Sequence, residues 1–227
     1  MAVNIGVLNA PLLYNYRYDQ LNRLTGMDAY SGFVNNTNQW GTPVNNGAFK
    51  ERVGYDANGN ILKYLRQGSS TKLGMDSLTY SYNRDVNGLL TDNKLNHVGD
   101  QVTDAEYVED MDSQAVNNYV YDPIGNLTRD NKAGIDGIEW TVYGKISQIN
   151  KSNGMVIKYS YDAAGNRIGK SVSSADNSVS YIWYVRDASG NVMSTYSSSG
   201  SSATIPSLLT QTDVHLYGSS RLGVQNR

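Results

Sequence analysis

The carboxylates of this 227-residue chain are the first groups to test for chemistry, because several recur at a fixed spacing. Asp56-Ala-Asn58-Gly59-Asn60 alternates oxygen donors in the manner of a calcium loop. The pattern then breaks. Gly59 falls fourth where such a loop needs Gly sixth, and Gln67 stands twelfth where a bidentate Glu is required, so a structural turn is the better reading. The acidic run from Gly99 to Asp112, with Asp104, Glu106, Glu109 and Asp110, could gather a cation but is better read as a solvated excursion between strands. A glycosidase would need two carboxylates about 5 to 10 Å apart in a cleft, and no pair stands out. His97 and His215 lie far apart and read as packing or surface residues. With no Cys, thiol catalysis, disulfides and Cys-ligated zinc are excluded. No catalytic residue, metal or cofactor is expected, and the chain reads as a non-enzyme.

Charge and hydropathy narrow the partners. A formal net charge of −2 without long like-charged runs gives no footprint for nucleic acid or an anionic membrane. No apolar stretch reaches the roughly 18 residues of a spanning helix, so no membrane insertion is expected. Met1–Pro11 lacks a basic leader and does not read as a signal peptide.

The spacing of the carboxylates makes sense as a repeat. Tyr16-Arg-Tyr18-Asp19-Gln-Leu-Asn22 is followed by Val53-Gly-Tyr55-Asp56-Ala-Asn-Gly59, Tyr119-Val-Tyr121-Asp122-Pro-Ile-Gly125, Tyr159-Ser-Tyr161-Asp162-Ala-Ala-Gly165 and Tyr184-Val-Arg186-Asp187-Ala-Ser-Gly190. In most copies Asn follows the Gly. Tyr80-Ser-Tyr82-Asn83-Arg-Asp85-Val-Asn-Gly88 is a variant with two extra residues. Asp at the first position of a type I turn accepts hydrogen bonds from the turn's own amides, and Gly three residues on takes the left-handed conformation of a bulge. Asn22 replaces Gly in the first copy, and Asn is the residue that best tolerates positive φ after Gly. Asp19, Asp56, Asp122, Asp162 and Asp187 are therefore expected as turn initiators, with Gly59, Gly125, Gly165 and Gly190 at positive φ.

These tips require strands on either side. Tyr-x-Tyr before the Asp puts both rings on one face, because side chains alternate with period two. Tyr16, Tyr18, Tyr55, Tyr80, Tyr82, Tyr119, Tyr121, Tyr159, Tyr161 and Tyr184 are expected as sheet-face aromatics forming cross-strand ladders. Ile138-Glu-Trp140-Thr-Val142-Tyr143-Gly-Lys-Ile146 reads as a further strand pair without the tip motif. The excess of 22 Gly and 18 Tyr over two Phe and four Pro points the same way. The expected fold is all-β: repeated antiparallel hairpins forming one continuous, curved or spiral sheet over residues 1–227, with no separate second domain. Flexible loops are expected near 99–114 and at the serine-rich stretch 197–207. The sequons at Asn35, Asn126 and Asn150 read as incidental.

Repeated Tyr-Asp followed by Gly-Asn resembles the YD-repeat or Rhs family, from Tyr16 to Gly223. Trp140-Thr-Val-Tyr143-Gly-Lys-Ile146 is similar to its inter-repeat strand, and Tyr184 to Val192 followed by His215-Leu-Tyr217-Gly-Ser-Ser-Arg221 is similar to the stretch upstream of the Rhs-associated core in Bacteroidetes-type sequences. The resemblance implies a section of a hollow shell that encloses a C-terminal effector or toxin polypeptide, secreted or at the cell surface. Its partners would be that effector and the remaining shell repeats. Self-cleavage in such proteins uses aspartates of the associated core. Asp122-Pro-Ile-Gly125 matches the start of that motif superficially but sits in an ordinary hairpin copy, so no catalytic role is carried to it. The other reading is a cell-surface adhesive or carbohydrate-binding module, in which the Tyr and Trp rows stack on a glycan.

Overall fold

The structure, a computed structural model, describes residues 2–3, 11–102, 107–108, 110–201 and 208–227. Every regular element among them is a strand, and no helix among them is long and apolar enough to cross a membrane. The chain divides into two compact units, Met1–Asn118 and Tyr119–Arg227.

The first unit holds β1 (Ala2–Val3), β2 (Leu12–Tyr18), β3 (Leu24–Val34), β4 (Gln39–Val44), β5 (Glu51–Tyr55), β6 (Ile61–Gln67), β7 (Gly74–Arg84) and β8 (Leu90–Asp100). They form one sheet in the order β1-β2-β3-β5-β6-β7-β8, with β4 paired to the far half of β3. The second unit holds β9 (Tyr119–Tyr121), β10 (Leu127–Asp130), β11 (Ile135–Trp140), β12 (Ile146–Lys151), β13 (Val156–Tyr161), β14 (Arg167–Ser173), β15 (Ser178–Arg186), β16 (Val192–Ser201), β17 (Thr210–Tyr217) and β18 (Arg221–Asn226). These ten follow one another across a sheet in sequence order. All pairs are antiparallel, and neither strand order closes on itself, so neither sheet is a barrel.

One register recurs in the hairpins. The residue before the turn Asp pairs with the fifth residue after it, as in Tyr18↔Leu24, Tyr55↔Ile61, Tyr121↔Leu127 and Tyr161↔Arg167. The next pair skips one residue, as in Arg17↔Gly26, Gly54↔Lys63 and Val120↔Arg129. The sixth residue after the Asp is thus a bulge, which adds local twist at the same place in successive hairpins. Where that residue carries a hydroxyl, it donates to the carbonyl two residues before the Asp: Thr25 to Arg17 at 3.2 Å, Thr91 to Asn83 at 3.1 Å and Thr128 to Val120 at 3.1 Å; Ser147 donates likewise to Glu139 at 3.1 Å, across a turn that begins at Thr141.

Burial is sparse. Among the described residues the buried apolar side chains are Met27, Ala29, Ala48, Leu78 and Val98 in the first unit and Ile138 and Val179 in the second. Buried polar groups are therefore fastened individually. Asp28 takes Arg52 Nη2 at 2.6 Å and also pairs with Arg17. Burial alone would raise the Asp28 pKa, but hydrogen bonding and charge from Arg52, with Arg17, hold it below the usual range.

Two expectations change. The hydrogen-bonded ladder forms two sheets where a single one was expected, and the first stops at β8 because the following segment occupies its outer edge. Gln114 donates its amide to Val98 O at 2.9 Å and accepts from Val98 N through Oε1 at 2.9 Å, while Ser113 Oγ bonds both Asp100 N and Asp100 O at 2.9 Å. The Gln114 backbone amide and the Gln114 and Ser113 side chains thus take the place of a neighbouring strand. Gly99 and Asp100, expected in a loop, end β8 opposite Thr79 and Leu78. Likewise Ser197 to Ser201 extend β16 against Ile182 to Ser178. Ladder pairing uses backbone groups, and the long partner β15 offers them whatever side chains stand opposite. Residues 202–207, and Asp104, Glu106 and Glu109 of the acidic run, lie outside the described residues.

Candidate structural site: the hairpin tips and their latches

Each Asp-x-x-Gly tip is built around one carboxylate. The backbone closes first: Asp56 N donates to Asn60 O at 2.9 Å and Gly59 N to Asp56 O at 3.1 Å, and the same pair of bonds recurs at Asp19, Asp85, Asp122, Asp162 and Asp187. The fourth residue must then turn left-handed. Gly59, Gly125, Gly165 and Gly190 have φ of 90°, 98°, 79° and 86°, and Asn22 has 58°.

The carboxylate ties the loop together. Asp122 Oδ1 accepts from Ile124 N at 3.1 Å and Asn126 N at 2.8 Å, and Asp187 Oδ1 accepts from Ser189 N at 2.9 Å and Asn191 N at 2.8 Å. The second oxygen explains the Asn after the Gly. Asn60, Asn126, Asn166 and Asn191 Nδ2 donate to Oδ2 of their own Asp at 2.8, 2.9, 3.1 and 2.9 Å. In the first copy Arg23 takes that place, with Nε 2.7 Å from Asp19 Oδ2. The bonds favour the charged form, so these carboxyls titrate below their ordinary value. Backbone donation from Arg23 leads at Asp19 and from Asn166 at Asp162, and the side-chain amides of Asn60 and Asn191 lead at Asp56 and Asp187. At Asp122 desolvation opposes the shift, and the Asn126 bonds overcome it.

An aromatic at or near the end of the strand entering a turn joins one hairpin to the preceding one. Tyr55 Oη donates to Leu24 O at 2.8 Å, Tyr82 Oη to Ile61 O at 2.9 Å, Trp140 Nε1 to Leu127 O at 2.8 Å, Tyr161 Oη to Ile146 O at 2.8 Å and Tyr217 Oη to Val192 O at 3.0 Å. Arg186 fills the same place, its Nε 3.0 Å from Arg167 O. Every acceptor is the fifth residue after the turn initiator of the preceding hairpin. In the Tyr82 copy, Asn83 and Arg84 are the two extra residues, inserted between latch and turn. Cations reinforce two latches from the earlier tip, Arg23 lying 4.6 Å from the Tyr55 ring and Lys145 5.8 Å from that of Tyr161.

Tyr16 and Tyr18 are 38% and 59% exposed, while Tyr80, Tyr119, Tyr121, Tyr159 and Tyr184 are half-buried. Arg167 lies over Tyr159 at 4.7 Å and Arg186 over Tyr184 at 6.0 Å. His97 Nδ1 meets Asn96 Oδ1 at 2.8 Å, and His215 Nδ1 is buried without a partner.

The sequence reading missed one role and several turns: Lys151-Ser-Asn-Gly154 and Ser174-Ala-Asp-Asn177 close with the same two backbone bonds, the fourth residue at φ 81° and 65°. Thr141-Val-Tyr-Gly144, read as lacking a tip, makes the same turn: Gly144 has φ 70°, Gly144 N donates to Thr141 O at 3.0 Å, and Thr141 Oγ1 accepts from Lys145 N at 3.2 Å. Thr is a weaker relative of Asp in this loop, so Thr-x-x-Gly was the available signal. The hydrogen-bonding role of the tyrosine hydroxyl carried no signal, because its partner lies in another hairpin.

No family model matches the chain, and no curated protein matches it. Among solved structures, it is similar to chains of the TcdB2-TccC3 crystal structure (TM-score 0.41, 13% identity, covering 88% of this chain and 8% of that one) and of TcdB2-TccC3-TEV (TM-score 0.41, 14% identity, 92% and 11%). A Photorhabdus luminescens Tc holotoxin pore with a TccC3 substitution gives a TM-score of 0.37 at 15% identity, covering 83% and 10%. The chain spans about a tenth of the length of these structures.

Proposed function

We propose that the chain is a non-enzymatic section of wall in a larger repeat protein of the YD-repeat or Rhs type, whose role is to contain a C-terminal effector polypeptide. The observation that carries this reading is the one-way latch. Within each unit, successive hairpins are joined in the same direction, the later one supplying the donor and the earlier one the acceptor, a rule of addition with no built-in end. Sparse burial supports the same reading, since a wall gains its second layer from whatever it encloses. The partners are the remaining repeats and the enclosed polypeptide, and the whole protein acts outside the cell or at its surface. Electron microscopy of the full-length protein, with limited proteolysis, tests it: a closed shell whose C-terminal polypeptide resists protease until the shell is opened is expected. An extended, open particle with a freely cleaved C-terminal region would overturn it.

A second reading, an adhesive or glycan-binding surface module, is favoured by one feature. On β15 the rings of Tyr181 and Trp183 lie parallel, 3° apart with centroids 6.1 Å apart, and Trp183 is 40% exposed. Pyranose faces stack on such rings. A glycan array with specific binding that Trp183→Ala abolishes would establish this reading, and an array without hits removes it.

A further inference from the structure

Three carboxylates that the sequence keeps apart meet at the edge of the first sheet. Asp76 is on β7 and Asp100 ends β8 opposite Leu78, two residues along from Asp76, so strand alternation brings both to one face. Asp110 arrives from the segment that covers the β8 edge. One oxygen of each lies within 4.8 Å of the others.

Asp76 is fully partnered within this arrangement, and Asp100 is not. Asp76 has no exposed surface; its Oδ2 takes Arg66 Nε at 2.6 Å and its Oδ1 accepts from Met111 N at 3.3 Å. Asp100 Oδ1 accepts from Ser77 N at 2.7 Å and Val102 N at 3.1 Å. Asp100 Oδ2 is buried at the cluster and receives no hydrogen bond. A carboxylate oxygen removed from water beside two further carboxyls needs a proton or a cation.

We propose that Asp76, Asp100 and Asp110 bind one calcium ion that pins the 110–114 segment over the edge of β8. The donor set consists of hard oxygens, which suits calcium or magnesium over softer metals. Calcium fits the irregular set of carboxylates better, because magnesium demands near-octahedral geometry and keeps most of its water. The ion's place in the fold gives it a structural role, holding Met111 to Ser113 where they bond Asp76 and Asp100. The site stands independently of the shell reading.

Calorimetric titration of the whole EDTA-treated chain with calcium chloride, then magnesium chloride, tests the site, with thermal melts of the wild type, Asp100→Asn and the exposed control Asp136→Asn. One calcium per chain is expected, bound more tightly than magnesium, with a melting temperature raised by roughly 5 °C at saturation. Asp100→Asn keeps Oδ1 for Ser77 and Val102 and should melt in EDTA no lower than the wild type, yet bind calcium at least about tenfold more weakly. Asp136→Asn should bind as the wild type does. The proposal is overturned if the wild type takes up no calcium at about 1 mM, the weak end of protein calcium sites, or if Asp100→Asn binds it equally well. Absence of uptake together with a higher melting temperature for Asp100→Asn would assign a shared proton instead. Should Asp100→Asn fail to fold, the wild-type stoichiometry and Asp110→Asn decide between the same outcomes.

Discussion

At the scale of single residues, the turn Asp and the Gly after it work for different reasons, and substitutions separate them. An added Cβ at Gly165 would meet Lys145 Cε at 3.0 Å with φ at 79°. Gly165→Val should therefore lower stability by about 2 kcal/mol, because a β-branched residue is strained there. Gly165→Asn should cost less than about 1 kcal/mol, since Asn22 and Asn177 already hold φ of 58° and 65°. Thermal melts of the two variants check the difference. Asp19, Asp56, Asp122, Asp162 and Asp187 titrate below their ordinary value, so the folded state favours their charged form. Their contribution is complete above about pH 5 and is lost as the pH falls through about 4 towards the lowered folded values. Asp162→Asn keeps an acceptor at Oδ1 but loses the charge and faces the Asn166 amide with another donor. Its melting temperature should fall below that of the wild type at pH 7, and the gap should narrow as the pH falls below about 4. A gap independent of pH would show that the charge contributes nothing.

At the scale of elements, the hairpins are stacked by latches, which makes the hydroxyl of a tyrosine separable from its ring. Tyr161→Phe keeps the ring beneath Lys145 and removes the donor to Ile146 O, and should cost about 1 kcal/mol. Tyr143, 87% exposed on the Thr141 tip, is the control, and Tyr143→Phe should fall within about 0.5 kcal/mol of the wild type. Equal melting temperatures for the two variants would remove the latch as a source of stability. The tips were legible from sequence because Asp, Gly and Asn act within five residues of one another. The latches were not, because Tyr161 and Ile146 belong to different hairpins, and nothing local distinguishes a tyrosine that donates from one that packs.

At the scale of the whole molecule, each unit carries a complete ladder. Residues Tyr119–Arg227 expressed alone should show strand circular dichroism and a cooperative thermal transition, because the β9 to β18 pairings all lie within that segment. A featureless, non-cooperative melt would mean that this sheet depends on the first 118 residues. The covered edge of β8 bears on association too. Gln114 and Ser113 occupy groups that would otherwise recruit another strand, a device known from sheets that avoid edge-to-edge pairing.

What the sequence determined by itself was the all-β class, the hairpin unit and the residues at each Asp-x-x-Gly tip, because these rest on backbone conformation and bonds within a few residues. The tertiary structure decided the rest: where the ladder breaks into two, that the serine-rich stretch begins as strand, which carbonyl each latch reaches, and that Asp76 joins Asp100 and Asp110. Those outcomes depend on which segments lie side by side, and the choice is made by register and by competition for unpaired backbone groups. Neither is written in the local spacing of residues.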